Sequence, residues 1–157
     1  MKQFLLPCAL LIFSSAFGQT PLLEEDFESY SVGDYIGATS AYWTTWSGAT
    51  GGAEDSQISD EQANSGTQSM KICGVVAGTG PMDIYLPIGL ETAYEVSYNI
   101  YVPSGYSAYM NVQEELTPGI TWAFDMVFSG NGSIQLSIDQ VDIAFGSYNL
   151  DEWTTVS

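Results

Sequence analysis

Apolar and polar residues alternate with a period of two along much of this chain. The clearest run is Tyr94–Val102, and Ser107–Gln113, Ile120–Phe128 and Ile134–Ile138 repeat it. Successive side chains of a β-strand point to opposite faces of the sheet, so this period predicts strands with one buried face. Breaks rich in Gly, Pro, Ser and Asn separate the runs, and helical periodicity is nearly absent after residue 19. The pattern predicts an all-β fold, a two-sheet antiparallel sandwich.

Two clusters of turn residues predict how neighbouring strands pair. A loop centred on Gly105 would place Ile100 opposite Met110, with both apolar faces on one core. A loop centred on Asn131 would pair Phe128 with Ile134, Met126 with Leu136, and Phe124 with Ile138. We expect seven side chains of these runs to be buried: Ile100, Met110, Trp122, Phe124, Met126, Leu136 and Ile138.

Shorter or less regular runs supply further strand candidates. They are Leu22–Glu28, Tyr42–Ser47, Ser69–Val76, Met82–Ile88, Val141–Phe145 and Glu152–Ser157. The polar, Gly-rich stretch Gly48–Asn64 is predicted to be mostly loop. Because the sequence stops within the last candidate strand, we expect a further neighbouring strand and interpret residues 20–157 as a C-terminally incomplete domain.

The first nineteen residues have the features of a signal peptide. Lys2 precedes an apolar run from Phe4 to Phe13, which is too short to span a membrane, and small residues follow it up to Gly18. We therefore predict a signal peptide at residues 1–19 and a secreted or cell-surface protein with no membrane span in its mature chain. Cys8 leaves with the leader, so the mature chain has one thiol, Cys73, which we expect to be buried.

The charge of the chain excludes several classes of function. It has 19 Asp and Glu, no His, and only two basic residues, of which Lys71 alone lies outside the leader. The net charge is −17, and becomes one unit more negative when Lys2 is removed. Such a chain cannot bind nucleic acid by counterion release, use imidazole for proton transfer, or hold zinc through His.

Several short motifs resemble those of known secreted β-sandwich modules. Glu25–Tyr30 followed by Val32–Tyr35 resembles the start of exported modules of Bacteroidetes-type bacteria, which often use type IX secretion. Ala63–Ile72 resembles a segment of carbohydrate-binding sandwiches, and Gly146–Val156 resembles a strand of concanavalin A-like and laminin-G-like jelly rolls. The resemblance implies a jelly-roll sandwich.

One polar face is a candidate glycan-binding site. If the Gly105 loop forms a hairpin, its polar side carries Asn99, Tyr101, Tyr109, Asn111 and Gln113, and Asp125 extends that side from the next strand. Tyrosine rings stack on the apolar faces of sugars, and amides exchange hydrogen bonds with hydroxyls in both directions. The alternative is a solvated sheet face without a ligand.

The acidic residues supply a candidate Ca²⁺ site. Ca²⁺ takes six to eight oxygen ligands, and Asp26, Glu28, Asp55 and Asp60 could converge between the first strand candidate and the Gly-rich stretch. The resemblance assigns Glu28 as the ligand of a structural Ca²⁺, because a first-strand carboxylate often has this role in such modules. The alternative is that all four are solvated carboxylates.

The function predicted from the sequence is a non-catalytic carbohydrate-binding or adhesion module of a longer cell-surface protein, with a glycan or polysaccharide as partner. A structural spacer without a ligand is one alternative. A glycoside hydrolase-like jelly roll is another, although Glu114–Glu115 and Asp139–Asp142 do not match the spacing of paired catalytic carboxylates. No catalytic residue is assigned.

Overall fold

The computed structural model describes residues 21–74, 82–89 and 95–157. Within these ranges the regular structure is nearly all β, which confirms the predicted fold class, and the helix is a single turn, α1 (Ile36–Thr39). The strands in chain order are β1 (Thr44–Thr45), β2 (Gln57–Ser59), β3 (Ser69–Lys71), β4 (Ile84–Tyr85), β5 (Tyr98–Tyr101), β6 (Ala108–Gln113), β7 (Trp122–Phe128), β8 (Ser133–Ile138), β9 (Val141–Ser147) and β10 (Trp153–Val156).

The strands form antiparallel sheets of unequal size. The largest has four strands in the order β6-β7-β8-β9, so each strand pairs with its neighbour in sequence. Three two-stranded sheets are formed by β5 with β10, β1 with β4, and β2 with β3. No helix in the described ranges is long and apolar enough to cross a bilayer. The predicted signal peptide lies outside the described residues.

The core lies between the four-stranded sheet and the β5–β10 sheet. Phe128 of β7 is fully buried and meets Tyr148 edge-on, with 5.6 Å between ring centroids. Tyr98 of β5 donates its hydroxyl hydrogen to the Met126 sulfur across the core, at 3.6 Å. The buried cluster is Val102, Met126, Phe128, Ile134 and Tyr148. The two sheets therefore pack face to face, as a sandwich requires.

The hairpin centred on Asn131 is confirmed. Phe128 lies opposite Ile134, and Met126 opposite Leu136. The Asn131 side chain accepts the Ser133 N–H at 3.1 Å, and Gly132 adopts φ +84°, which a residue with a Cβ disfavours. The third predicted pair, Phe124 with Ile138, lies just beyond the paired segment, which begins at Asp125.

The prediction of a hairpin centred on Gly105 is wrong. Strand β5 pairs with β10, where Ile100 lies opposite Thr154, and strand β6 pairs with β7, where Met110 lies opposite Met126. Gly105 does turn the chain, with φ +86°, but the turn carries it from one sheet to the other. Ile100 and Met110 both pack on the core from opposite sheets. Two strands show the same alternation of apolar and polar residues whether they pair in one sheet or face each other from two sheets. The alternation of β5 and β6 therefore could not predict which of these arrangements forms.

The burial predictions are confirmed in part. Met126 is buried, and Ile100, Met110, Phe124 and Leu136 are half-buried. Trp122 and Ile138 were expected in the core but are 44% and 41% exposed. Strand β9 carries further exposed apolar side chains on the same sheet: Val141, Ile143 and Phe145. Trp122 lies opposite Gln113, beyond a shift in the β6–β7 register, so the alternation that places Phe124 and Met126 towards the core does not continue to Trp122.

Among the other strand candidates, Val141–Phe145 is longer than predicted, since β9 runs to Ser147, and the rest are shorter or absent. The last two residues of the candidate Ser69–Val76 lie outside the described residues. Leu22–Glu28 forms no strand, because Phe27 adopts φ +65° and its N–H bonds to the Glu25 carboxylate at 2.9 Å. The stretch Gly48–Asn64 is mostly loop, as predicted, but it contains the short strand β2. Local hydrogen bonds from backbone N–H groups to acidic side chains therefore override the apolar pattern at the beginning of the described chain.

Candidate ligand-binding face

The candidate site is the face of the four-stranded sheet that points away from the core. On β6, Ala108 and Met110 pack against the core, so the alternate residues Tyr109, Asn111 and Gln113 lie on the opposite face. On β7 the same alternation places Asp125 outside, next to the buried Met126. The sequence pattern that builds the core therefore also builds this polar outer face.

A row of four polar residues crosses this face at right angles to the strands. Asn111 lies opposite Asp125, Asp125 opposite Ser137, and Ser137 opposite Asp142. We call these four residues the polar row. Neighbouring strands lie about 4.8 Å apart, so the row is about 14 Å long. It brings one amide, one hydroxyl and two carboxylates into line.

Hydrogen bonds connect the β6 end of the row. The Tyr109 hydroxyl donates to the Asp125 carboxylate and accepts the Asn111 side-chain N–H at 3.3 Å. The Gln113 amide donates to the Asn111 side-chain oxygen at 2.5 Å, and its own oxygen accepts the Gly119 N–H at 3.0 Å. The side chains are thus held in defined positions before any ligand arrives.

Tyr109 combines an exposed ring with an anchored hydroxyl. The residue is 58% exposed, although its hydroxyl is held by Asp125. Desolvation of the hydroxyl, together with the hydrogen bond to the Asp125 carboxylate, raises the pKa of Tyr109 to about 12. The phenol therefore remains a hydrogen-bond donor at any physiological pH. Its exposed ring can contact an apolar surface of a ligand.

The β9 end of the row was missed as a binding surface by the sequence analysis. Ser137 donates its hydroxyl hydrogen to the Asp142 carboxylate. Alternation within Ile134–Ile138 could have placed Ser137 on the outer face, but the pairing of Asp142 with it depends on the β8–β9 turn. Asp139 and Gln140, both at positive φ, form that turn and set the register.

Two predicted members of the site lie elsewhere. Asn99 and Tyr101 belong to β5 and point away from the core on the other sheet, so the single face predicted for all six residues is wrong. The Asn99 side chain accepts the Thr155 hydroxyl at 2.7 Å. The Tyr101 ring packs on Trp153, with centroids 5.6 Å apart. The other four, Tyr109, Asn111, Gln113 and Asp125, share one face.

The first two Ca²⁺ candidates lie in local hydrogen-bonded structure. Glu28 accepts the Thr67 N–H at 2.8 Å, the Thr67 hydroxyl at 2.9 Å and the Gln68 N–H at 3.0 Å. These hydrogen bonds, led by the Thr67 N–H, lower the pKa of Glu28 below its usual value. Asp26 accepts the Glu28 N–H at 3.0 Å. Both carboxylates therefore bind backbone donors.

The other two Ca²⁺ candidates lie in different surroundings. Asp55 is fully buried, and its two carboxylate oxygens accept the N–H groups of Gly37 and Gly51 at 2.9 and 2.8 Å. Asp60 is exposed at the rim of a surface cavity that Lys71 and Cys73 also line. Within the described ranges, no three His, Cys, Asp or Glu residues lie close enough to hold a metal ion. Ca²⁺ binding therefore stays a prediction.

Cys73 differs from its predicted environment. It is exposed, not buried, and its N–H points to the Met82 sulfur at 3.1 Å. Strand β3 ends at Lys71, two residues before it, so Cys73 is not held in a sheet that could cover it.

No protein-family model, no curated protein and no solved structure matches this chain.

Proposed function

We propose that this chain is a non-catalytic, exported carbohydrate-binding module of the jelly-roll type, which holds a glycan along the polar row. The observation that supports the proposal best is the combination of the row with the exposed Tyr109 ring beside it. The jelly-roll assignment comes from the sequence resemblance. The export assignment comes from residues 1–19.

The chemistry of the face suits a sugar chain. A sugar ring has an apolar face of C–H groups and a rim of hydroxyls, so it needs both an aromatic surface and polar groups. Tyr109 offers the first, since its ring is exposed while its hydroxyl is anchored. Asn111, Asp125 and Asp142 offer the second, because amide and carboxylate groups hydrogen-bond hydroxyls. A row about 14 Å long is comparable in length to a short oligosaccharide.

The experiment that tests the proposal is a glycan-array screen followed by titration calorimetry on the best ligand. Tyr109→Ala should weaken binding about fivefold to tenfold, because an aromatic contact contributes about 1 kcal/mol beyond its buried area. Tyr42→Ala is the matched control, because Tyr42 is 57% exposed and lies outside the four-stranded sheet. Equal affinities of the two variants would exclude this face as the binding site.

A structural spacer is the second candidate function. It is favoured by the way the side chains of the face satisfy one another: Tyr109 with Asp125, and Ser137 with Asp142. Such internal hydrogen bonds also stabilise a solvated sheet that binds nothing. The two candidates predict different outcomes of the array, since a spacer binds no glycan and Tyr109→Ala then changes only stability.

A further inference from the structure

The polar row has more hydrogen-bond acceptors than free donors. The hydroxyl hydrogens of Tyr109 and Ser137 are both donated to carboxylates, those of Asp125 and Asp142. In each case the hydroxyl meets one carboxylate oxygen. Within the described ranges, the second oxygen of Asp125 and of Asp142 makes no hydrogen bond. The groups that the row offers to a ligand are therefore chiefly carboxylate oxygens, and a ligand must bring the donors.

Among the described residues, no basic side chain of the four-stranded sheet balances these carboxylates. The chain has no Arg and no His. Lys71, the one basic residue outside the leader, lies on β3 in a different sheet and is paired with Glu61 at 2.5 Å. With a net charge of −17, the chain has a negative field at this face.

We propose that this face selects glycans without negative charge, and that the free oxygens of Asp125 and Asp142, which lie two strands apart, accept hydroxyl hydrogens from separate parts of the sugar chain. The proposal rests on the carbohydrate-binding function proposed above. A neutral sugar supplies hydroxyl donors that carboxylates accept in charge-assisted hydrogen bonds. A uronate or sulfate group in the same place brings a like charge and no donor. At about 4 Å in water that repulsion alone corresponds to roughly a fivefold loss of affinity for each close pair of charges.

Pairs of polymers that share a sugar backbone but differ in charge test whether the face selects neutral glycans. Hydroxyethylcellulose is compared with carboxymethylcellulose, and dextran with dextran sulfate, by affinity electrophoresis and calorimetry at low ionic strength. The neutral member of at least one pair should bind, and its anionic counterpart should bind roughly fivefold more weakly or worse. Raising the salt concentration should narrow the difference, because salt screens the repulsion.

Two variants test whether the carboxylates of the polar row cause the preference for neutral glycans. Asp125→Asn and Asp142→Asn each remove one charge but keep an acceptor oxygen, so each should narrow the neutral-to-anionic affinity ratio by severalfold. Glu24→Gln is the matched control, because it removes one charge from an exposed residue that is not part of the four-stranded sheet. If Glu24→Gln narrowed the ratio as much as Asp125→Asn, the selection would come from net charge and the proposal would be overturned.

The remaining outcomes separate this proposal from the function on which it rests. If the anionic polymers bound as tightly as the neutral ones, and Tyr109→Ala still weakened binding, the selection would be overturned and the glycan-binding function would stay in place. Binding of no polymer in either pair, together with an empty glycan array, would overturn both.

Discussion

The Glu28 carboxylate is held by Thr67, which lies 39 residues further along the chain. It accepts the backbone N–H and the hydroxyl of Thr67 at 2.8 and 2.9 Å. The neighbouring Gln68 completes the contact in the other direction, since its side-chain amide donates to the Phe27 and Tyr30 carbonyls at 2.6 and 2.8 Å. These contacts fasten the beginning of the described chain to the start of β3. They join two of the segments that carry the resemblance to secreted β-sandwich modules.

The first prediction concerns Glu28 and pH. Hydrogen bonds from Thr67 lower the pKa of Glu28 in the folded state below its ordinary value of 4.5. The unfolded chain therefore takes up this proton more readily, and the stabilisation is complete above about pH 4.5 and is lost as the pH falls through the lowered folded value.

Urea unfolding of the wild type and of Glu28→Gln measures this effect. The variant should be less stable at neutral pH, and the difference should shrink as the pH falls below about 4.5. Glu24→Gln, at an exposed residue, controls for the change in net charge. A stability difference that stays constant across the range would show that the carboxylate charge has no part in the contact.

The second prediction concerns Gly66, which lies beside the Glu28 carboxylate. Gly66 adopts φ +64°, and a Cβ at this position would collide with the Glu28 side chain. Gly48 adopts φ +77°, but a Cβ there would meet nothing within 4 Å. Gly48→Ala should therefore cost about 1–2 kcal/mol, the strain of the backbone alone. Gly66→Ala should cost clearly more, because it also displaces Glu28 from Thr67.

Denaturant midpoints of the two alanine variants give the comparison. Equal losses of unfolding free energy would mean that displacing the Glu28 carboxylate from Thr67 does not destabilise the fold.

The sequence could predict those parts of the fold in which local signals determine the result. Alternation and the Asn131 turn together specify the β7–β8 hairpin, because the turn fixes the loop length and the pattern fixes the register. The Gly105 turn gave an equally clear signal and the wrong pairing. Whether β5 pairs with β6 or crosses to the other sheet depends on β10, about fifty residues away, and no local pattern encodes that competition.

The third prediction tests the corrected core. Phe128 is fully buried and packs on Tyr148, so Phe128→Ala should lower the unfolding free energy by about 3–5 kcal/mol. Trp122, on the same strand, is 44% exposed, and Trp122→Ala should cost less than half as much, because less apolar area is returned to water. Chemical denaturation of both variants decides between the structure and the simple alternation pattern, which predicts similar losses at the two sites.

The site was predictable to the extent that it follows from one hairpin. Tyr109, Asn111 and Gln113 lie on one strand, so alternation alone places them on one face. Asp125 joins them because β7 pairs with β6. Asn99 and Tyr101 were predicted on this face only because β5 was wrongly paired with β6. Asp142 was missed as a binding residue because its position depends on two successive registers, that of β7 with β8 and that of β8 with β9.

The last prediction concerns the titration of Tyr109. Burial of the hydroxyl is the largest cause of its raised pKa of about 12, and the hydrogen bond to Asp125 adds to it. The folded-state pKa is raised above the unfolded value of about 10, so the stabilisation is fully present below pH 10 and is lost as the pH rises through about 12. Asp125→Asn removes the charge that disfavours the phenolate, so the pKa of Tyr109 should fall part of the way towards 10.

NMR of the tyrosine ring carbons can follow the titration of Tyr109 separately from that of the other nine tyrosines. Tyr98 is the internal control, because burial alone raises its pKa to about 12, and Asp125→Asn should leave it unchanged. An unchanged pKa of Tyr109 in the variant would mean that the tyrosine does not donate to Asp125 in solution, and the ordered polar face would lose the contact that holds its aromatic ring.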